Sequence, residues 1–112
     1  MKLLIVGSRS IREFDLEGYV PPETEMIISG GAEGVDTLAE QYADRRRISK
    51  MILRPQYEKY GRGAPLKRND AMVDECDRVL VIWDGVSKGT HHTIEYAKRK
   101  QKPIEVICIK TP

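Results

Sequence analysis

Short apolar runs punctuate the chain at residues 3–6, 26–28, 51–53, 79–83 and 104–109. Most are rich in Ile and Val with no polar alternation, the pattern of strands buried on both faces. Between them, apolar residues return at helical spacing. Val35, Leu38, Ala39, Tyr42 and Ala43 make the clearest stripe, and Ala64, Met72 and Val73 mark another. Ile94 and Ala97 mark a further one, in a segment running from about residue 91 to residue 101. A weaker helix is expected over residues 11–16, stopped by Gly18 and Pro21-Pro22.

Strand and helix therefore alternate from one end to the other. Such alternation implies right-handed crossovers and a parallel sheet. The expected fold is a three-layer α/β domain with a five-stranded parallel sheet. No linker or internal repeat divides it, so residues 1–112 are read as one domain. In open parallel sheets a ligand lies outside the carboxyl ends of the strands, where strand order reverses. The loops at those ends are where chemistry is expected.

Composition narrows the classes. With 40% hydrophobic and 32% charged residues the chain has an ordinary globular balance. No apolar stretch is long enough to span a bilayer, and the apolar start lacks the features of a signal peptide. A soluble, cytoplasmic protein with no membrane partner is expected. Nineteen basic residues against 17 acidic ones give a net charge of +2, too balanced for a dedicated nucleic-acid binder. The sharpest basic cluster, Arg45-Arg46-Arg47, falls at a helix end, where cations complement the macrodipole. Cys76 and Cys108 have no metal-ligand spacing and are expected as reduced core thiols. No metal or other cofactor is implied.

The first run ends in Gly7-Ser8-Arg9-Ser10. Glycine permits close approach of a ligand, Ser8 offers a hydroxyl, and Arg9 can grip a phosphate or carboxylate through paired bonds. A plain turn with Ser8 as a helix N-cap explains the same residues. The second run ends in Ser29-Gly30-Gly31-Ala32-Glu33-Gly34-Val35-Asp36. Glycines and an alanine before a helix uncover backbone N–H groups at the positive end of its dipole, an anion cradle. It is neither a P-loop nor a dinucleotide fingerprint, because no Lys-Ser or Lys-Thr follows and the glycine spacing differs. Asp36, in the first helical turn, can complement the dipole, hold a ribose hydroxyl, or hold Arg9.

The third run leads to Gly61-Arg62-Gly63-Ala64-Pro65-Leu66-Lys67-Arg68-Asn69. Pro65 suits a first helical turn and sets Arg68 and Asn69 about one turn further in. Arg68 can aim over the strand ends; equally, Arg62, Lys67 and Arg68 can form a solvated basic surface. The fourth run ends in Trp83-Asp84-Gly85-Val86-Ser87-Lys88-Gly89-Thr90, followed by His91-His92-Thr93-Ile94-Glu95. This is another glycine-containing loop before a helix, with Thr90 as its expected N-cap. Adjacent histidines face different directions on a helix and make a poor metal pair. Trp83 suits the core or a pocket wall better than a stacking platform.

Gly7-Ser8-Arg9, Ser29-Gly30-Gly31-Ala32 with Gly34-Val35-Asp36, Arg68-Asn69 with Met72, and Trp83-Asp84-Gly85 with Ser87, Gly89 and Thr90 occur in this order. Together they resemble the SLOG superfamily, most closely its small YspA-like branch (cpYpsA-related). The resemblance covers nearly the whole chain. It implies a Rossmann-like fold that binds nucleotides or nucleotide-derived molecules. Relatives include the LOG phosphoribohydrolases, the DNA-processing protein DprA and sensor domains of nucleotide-signalled defence systems. LOG-like relatives form dimers, so the resemblance also implies a homodimer.

LOG enzymes carry an Arg-Lys-x-x-Met stretch and a Gly-Gly-x-Gly-Thr-x-x-Glu loop. Arg68-Asn69-Asp70-Ala71-Met72 is similar to the first, with Asn in place of Lys. The second departs: Thr93 stands where the glutamate is expected, and the carboxylate, Glu95, comes two residues later. Two residues turn a helix by about 200°.

The leading expectation is a nucleotide-binding domain in which Gly30, Gly31, Gly34, Gly89 and Thr90 hold phosphate and Arg9 and Arg68 supply charge. Gly7, Ser8, Ser29, Ala32, Asn69, Asp84, Gly85 and Ser87 complete the expected binding set. The alternative is a LOG-like N-glycosidase acting on nucleoside 5′-monophosphates. In it Glu95 or Asp36 stabilises the developing positive charge, with Arg68 on the 5′-phosphate. Single-stranded DNA binding is the weakest reading, since only Tyr57, Tyr60 and Trp83 offer stacking faces.

Overall fold

The computed structural model describes residues 1–110. Five strands, β1 (Lys2–Gly7), β2 (Met26–Ser29), β3 (Ser49–Ile52), β4 (Arg78–Trp83) and β5 (Ile104–Cys108), form one sheet in the order β3-β2-β1-β4-β5. Every pairing is parallel. The helices are α1 (Val35–Arg46), α2 (Tyr57–Tyr60), α3 (Ala64–Glu75) and α4 (Lys88–Arg99), with a 3-10 turn at Gly61–Gly63. The fold is α/β and Rossmann-like, as the alternating pattern predicts.

The unbroken apolar runs are explained by burial on both sides. Leu3, Ile5, Ile27, Leu80 and Ile82 pack beneath Val35, Ala39, Tyr42 and Ala43 of α1. Leu4, Val6, Ile28, Val79 and Val81 pack beneath Met72 and Val73 of α3 and Ile94 and Ala97 of α4. Each such side chain contributes about 1.5–3 kcal/mol by leaving water. The edge strands β3 and β5 are half exposed, which is why Lys50 and Glu105 are tolerated there.

One expected helix is missing. Residues 8–25 contain no helix, although Ile11 and Leu16 are buried at 4% and 2% exposure. Five residues of helix turn through about 500°, so the two side chains would stand roughly 140° apart and could not share a buried face. A folded loop brings both inward. Asp15 Oδ1 accepts the Glu17 N–H at 2.9 Å, and the Tyr19 N–H donates to the Leu16 carbonyl at 3.1 Å. This loop fills the layer beside α1 in place of a helix. Cys108 also departs from expectation: Cys76 is buried, but Cys108 is exposed on the edge strand β5.

The chain runs outward from β1 through β2 to β3, then crosses back to β4 on the other side of β1. Strand order reverses between β1 and β4. Their carboxyl ends, Gly7 and Trp83, open the crevice where a parallel sheet places its ligand.

Candidate functional site

A cleft of about 370 Å³ lies over the carboxyl ends of β1 and β4. Its floor is Val6, Gly7 and Ser8. Gly7 has no room for a side chain: a Cβ would lie 2.0 Å from the Ile82 carbonyl. Ser8 is buried and begins no helix, so it is not an N-cap. Its hydroxyl instead accepts the Asp84 N–H at 2.9 Å, fastening the loop after β1 to the loop after β4.

Asp84 organises that second loop. Its carboxylate accepts the Val86 N–H at 2.9 Å, the Ser87 N–H at 2.8 Å and the Ser10 hydroxyl at 3.1 Å. The Ser87 hydroxyl donates to it as well, at 2.9 Å, and lies 3.0 Å from Ser8 Oγ. The N–H bonds from Val86 and Ser87 hold the Asp84 carboxyl far below its ordinary range. The Trp83 indole N–H closes the loop onto the Ser87 carbonyl at 3.1 Å.

The glycine turn after β2 is already filled. Asp36 is buried, and its Oδ2 accepts the Ala32 N–H at 3.1 Å. Burial raises the Asp36 carboxyl above its ordinary value, against the lowering pull of the Ala32 N–H, the Arg68 charge and the Gly30 N–H. The cradle read from Gly30, Gly31 and Gly34 therefore holds the chain's own carboxylate, and of this turn Ala32 and Asp36 line the cleft. Gly34, at φ +75, lets the turn cross the first loop, where a Cβ would lie 2.5 Å from the Ser8 carbonyl. The Ser29 hydroxyl is spent beneath the turn, donating to Glu40 Oε2 at 2.9 Å.

Arg68 enters from α3. Its Nη1 donates to the Gly30 carbonyl at 2.5 Å and its Nε to Asn69 Oδ1 at 2.8 Å. Burial lowers its pKa from the ordinary value while Asp36 opposes the shift. Gly30 makes this possible, because a Cβ there would lie 2.6 Å from Arg68 Nη1 and 2.9 Å from Asp36 Oδ2. Arg68, Asn69 and Arg9 all line the cleft.

The N-terminus of α4 is the open end. Thr90 is not its N-cap: Ser87 holds that position in extended conformation, and no side chain caps the helix. Because Ser87 turns its hydroxyl to Asp84, the N–H groups of Lys88, Gly89 and Thr90 have no partner among the described residues. Gly89, Thr90 and Thr93 line the cleft beside them. Thr93 was not in the expected set, although its spacing of three from Thr90 puts both on one helix face.

Glu95 does not line the cleft. Its carboxylate lies 3.7 Å from His91 Nε2, one helical turn back, and the His91 ring stacks on Trp83 with centroids 5.9 Å apart. His92 turns the other way, its Nε2 2.9 Å from Asp70 Oδ1. Gly85, at φ +87, shapes the loop without lining the cleft.

Among the described residues no three His, Cys, Asp or Glu side chains are grouped to hold a metal ion. No described helix is long and apolar enough to cross a membrane. No family model, curated protein or solved structure matches the chain.

Proposed function

We propose that the cleft binds a nucleotide or nucleotide-derived ligand, as the nucleotide-sensing or sequestering SLOG domains that the sequence resembles would. The uncapped N-terminus of α4 carries the reading. Three unpartnered N–H groups and the dipole end of a 12-residue helix open at the reversal point of the sheet. A phosphate seated there would take the Lys88, Gly89 and Thr90 N–H groups, with Arg9 and Arg68 supplying charge from the other walls. Pro65, Leu66 and Met72 offer an apolar wall for the rest of the ligand.

Binding has more support than cleavage. A LOG-like glycosidase needs a carboxylate free to face the ribose. Glu95 lies outside the cleft, and Asp36 and Asp84 are both committed to loop N–H groups. The reading also includes a cytoplasmic homodimer covering the cleft, where the lining residue Leu66 stands 42% exposed. Sedimentation as a monomer at high concentration would remove the pairing.

Gly89 supplies the test, since nothing lies within 4 Å of a Cβ added there. Gly89→Glu should fold normally and set a carboxylate where the phosphate would sit. Titration of nucleoside monophosphates, followed by proton NMR, should show binding by the native chain and a loss of at least about 100-fold in the variant. Unchanged affinity would overturn the assignment. Growth of free-base signals would establish the glycosidase instead.

A further inference from the structure

Arg68 lines a second cleft as well. This one, of about 350 Å³, lies at the carboxyl end of β3, between the loop that follows it and α3. Its floor is apolar, from Ile52, Leu53 and Ala64. Arg54, Lys67 and Arg68 stand around it, and no carboxylate is among its lining residues. Asp36 balances Arg68 from the other side, but concentrating Arg54 and Lys67 beside it is costly unless an anion visits.

Some basic groups elsewhere on the surface are matched, as Arg12 is with Glu33, Arg46 with Glu17 and Lys50 with Asp44. Around the second cleft Arg54 and Lys67 have no such partner among the described residues, and they face one concave surface. Lys67 has no ion pair or hydrogen bond among the described residues, and Arg54 makes only a 3.4 Å contact with the Gly31 carbonyl. Gly31 is what lets Arg54 lie there, because a Cβ on that residue would come 2.6 Å from Arg54 Nη1. Tyr60 adds an aromatic ring that is 41% exposed, and Gln56 adds an amide able to donate and accept. Paired cations, a flat ring and an apolar floor suit a phosphoryl group attached to a planar heterocycle.

Each cleft is near the lower end of the roughly 300–1,000 Å³ range of small-molecule sites. Arg68 is their shared wall, half-buried between them. We propose that the second cleft is an anion subsite in which Arg54 and Lys67 hold the distal phosphoryl group of a two-headed ligand. That ligand is a dinucleotide lying across Arg68, with its proximal half at the N-terminus of α4. This rests on the nucleotide-binding reading of the strand-end cleft.

Calorimetric titration separates the two ideas. The probes are the four common nucleoside 5′-monophosphates and the symmetrical dinucleotides in which two of each are joined through a diphosphate bridge. The native chain should bind one dinucleotide at least about tenfold more tightly than its monophosphate. The double variant Arg54→Ala, Lys67→Ala should lose that advantage and keep its monophosphate affinity within about twofold. Both side chains are exposed, so the variant should keep the native unfolding temperature. Lys67→Glu alone should move the dinucleotide affinity in the same direction. A dinucleotide no tighter than its monophosphate, or an advantage that survives in the double variant, overturns the second subsite and leaves the first standing. Dinucleotide binding that Arg54→Ala, Lys67→Ala abolishes, with no monophosphate binding at all, supports the second subsite and removes the first. Binding of none of the probes overturns both.

Discussion

The Asp36 carboxylate accepts the Ala32 N–H at 3.1 Å, filling from within the glycine turn that precedes its own helix. A turn built to grip a phosphate would keep those N–H groups free. Asp36 thus holds the turn in shape and sets a negative charge beside the cleft, partly balanced by Arg68. Asp36→Asn keeps an oxygen acceptor for Ala32 and removes the charge. Monophosphate affinity should then be unchanged or rise by a few fold, because repulsion falls. If Asp36 were a catalytic carboxylate, the same variant would lose orders of magnitude in rate with little change in binding. Measuring both on one preparation decides between the roles.

Gly30 is the tightest point of that arrangement. Gly30→Ala drives a methyl to within 2.6 Å of Arg68 Nη1, so the guanidinium must leave the Gly30 carbonyl. The lost charged hydrogen bond should cost about 1.5–3 kcal/mol of stability. Ligand affinity should fall by roughly tenfold as Arg68 is displaced, an effect of about 1.4 kcal/mol. Chemical denaturation and titration read the two effects separately. Full stability and full affinity in Gly30→Ala would show that Arg68 needs neither this carbonyl nor this position.

The sheet was legible in the sequence because its strands are buried on both faces, and burial left unbroken Ile and Val runs such as residues 79–83. Helix α1 was legible because Val35, Ala39, Tyr42 and Ala43 keep one face. The first crossover was not. Ile11 and Leu16 carry the hydrophobicity of a helix, but their phase is set by a folded loop that no periodicity describes. The site was half legible: the strand-end loops were found, while the occupant of the glycine turn was not. Nothing in Ser29-Gly30-Gly31-Ala32 says that a carboxylate in the first turn of the helix will reach back and take the Ala32 N–H. Thr93 was hidden for a related reason: a threonine three residues past Thr90 reads as an ordinary helix residue until the fold turns that face to the cleft.

That loop gives its own prediction. Leu16 is 2% exposed and packs in the same cluster as Ile5 and Ile82. Leu16→Ala should cost about 2–5 kcal/mol, as for a residue in a helix or strand core. Leu66→Ala, at 42% exposure, should change stability by less than about 0.5 kcal/mol. Equilibrium unfolding in urea compares them directly. A small effect at Leu16 would mean that the loop opens readily from the sheet.

The thiols should separate by reactivity. Burial pushes the Cys76 thiol up to about 11, and its Sγ–H donates to the Val73 carbonyl at 3.3 Å. Cys108 is exposed at the end of β5. An aromatic disulfide reagent at neutral pH should therefore modify one thiol rapidly, and peptide mapping should place it at Cys108. Cys76 should react only on unfolding, which makes it a reporter of global opening. Equal rates at the two positions would show that the α3 end of the core breathes freely.

Acid stability tests the Asp84 network, and the sign follows from its direction. The folded carboxyl titrates below its ordinary 3.8, so the folded state binds that proton less tightly than the unfolded chain does. The stability it contributes is fully present above about pH 4 and is lost as pH falls below that value, through the folded pKa. Asp36 has the opposite sign. Its raised pKa makes stability fall as pH climbs past its ordinary 3.8, which offsets part of the gain from Asp84. Asp84→Asn removes one contribution and leaves the other. Compared by urea denaturation between about pH 6 and about pH 2, the variant should be less stable at the upper end and converge on the native chain at the lower. Convergence requires the Asp84 bonds to Val86 and Ser87 to draw their strength from charge. A constant gap at every pH would instead make them neutral-strength bonds, and the loop that orients the N-terminus of α4 would then be held chiefly by Ser8 and Trp83.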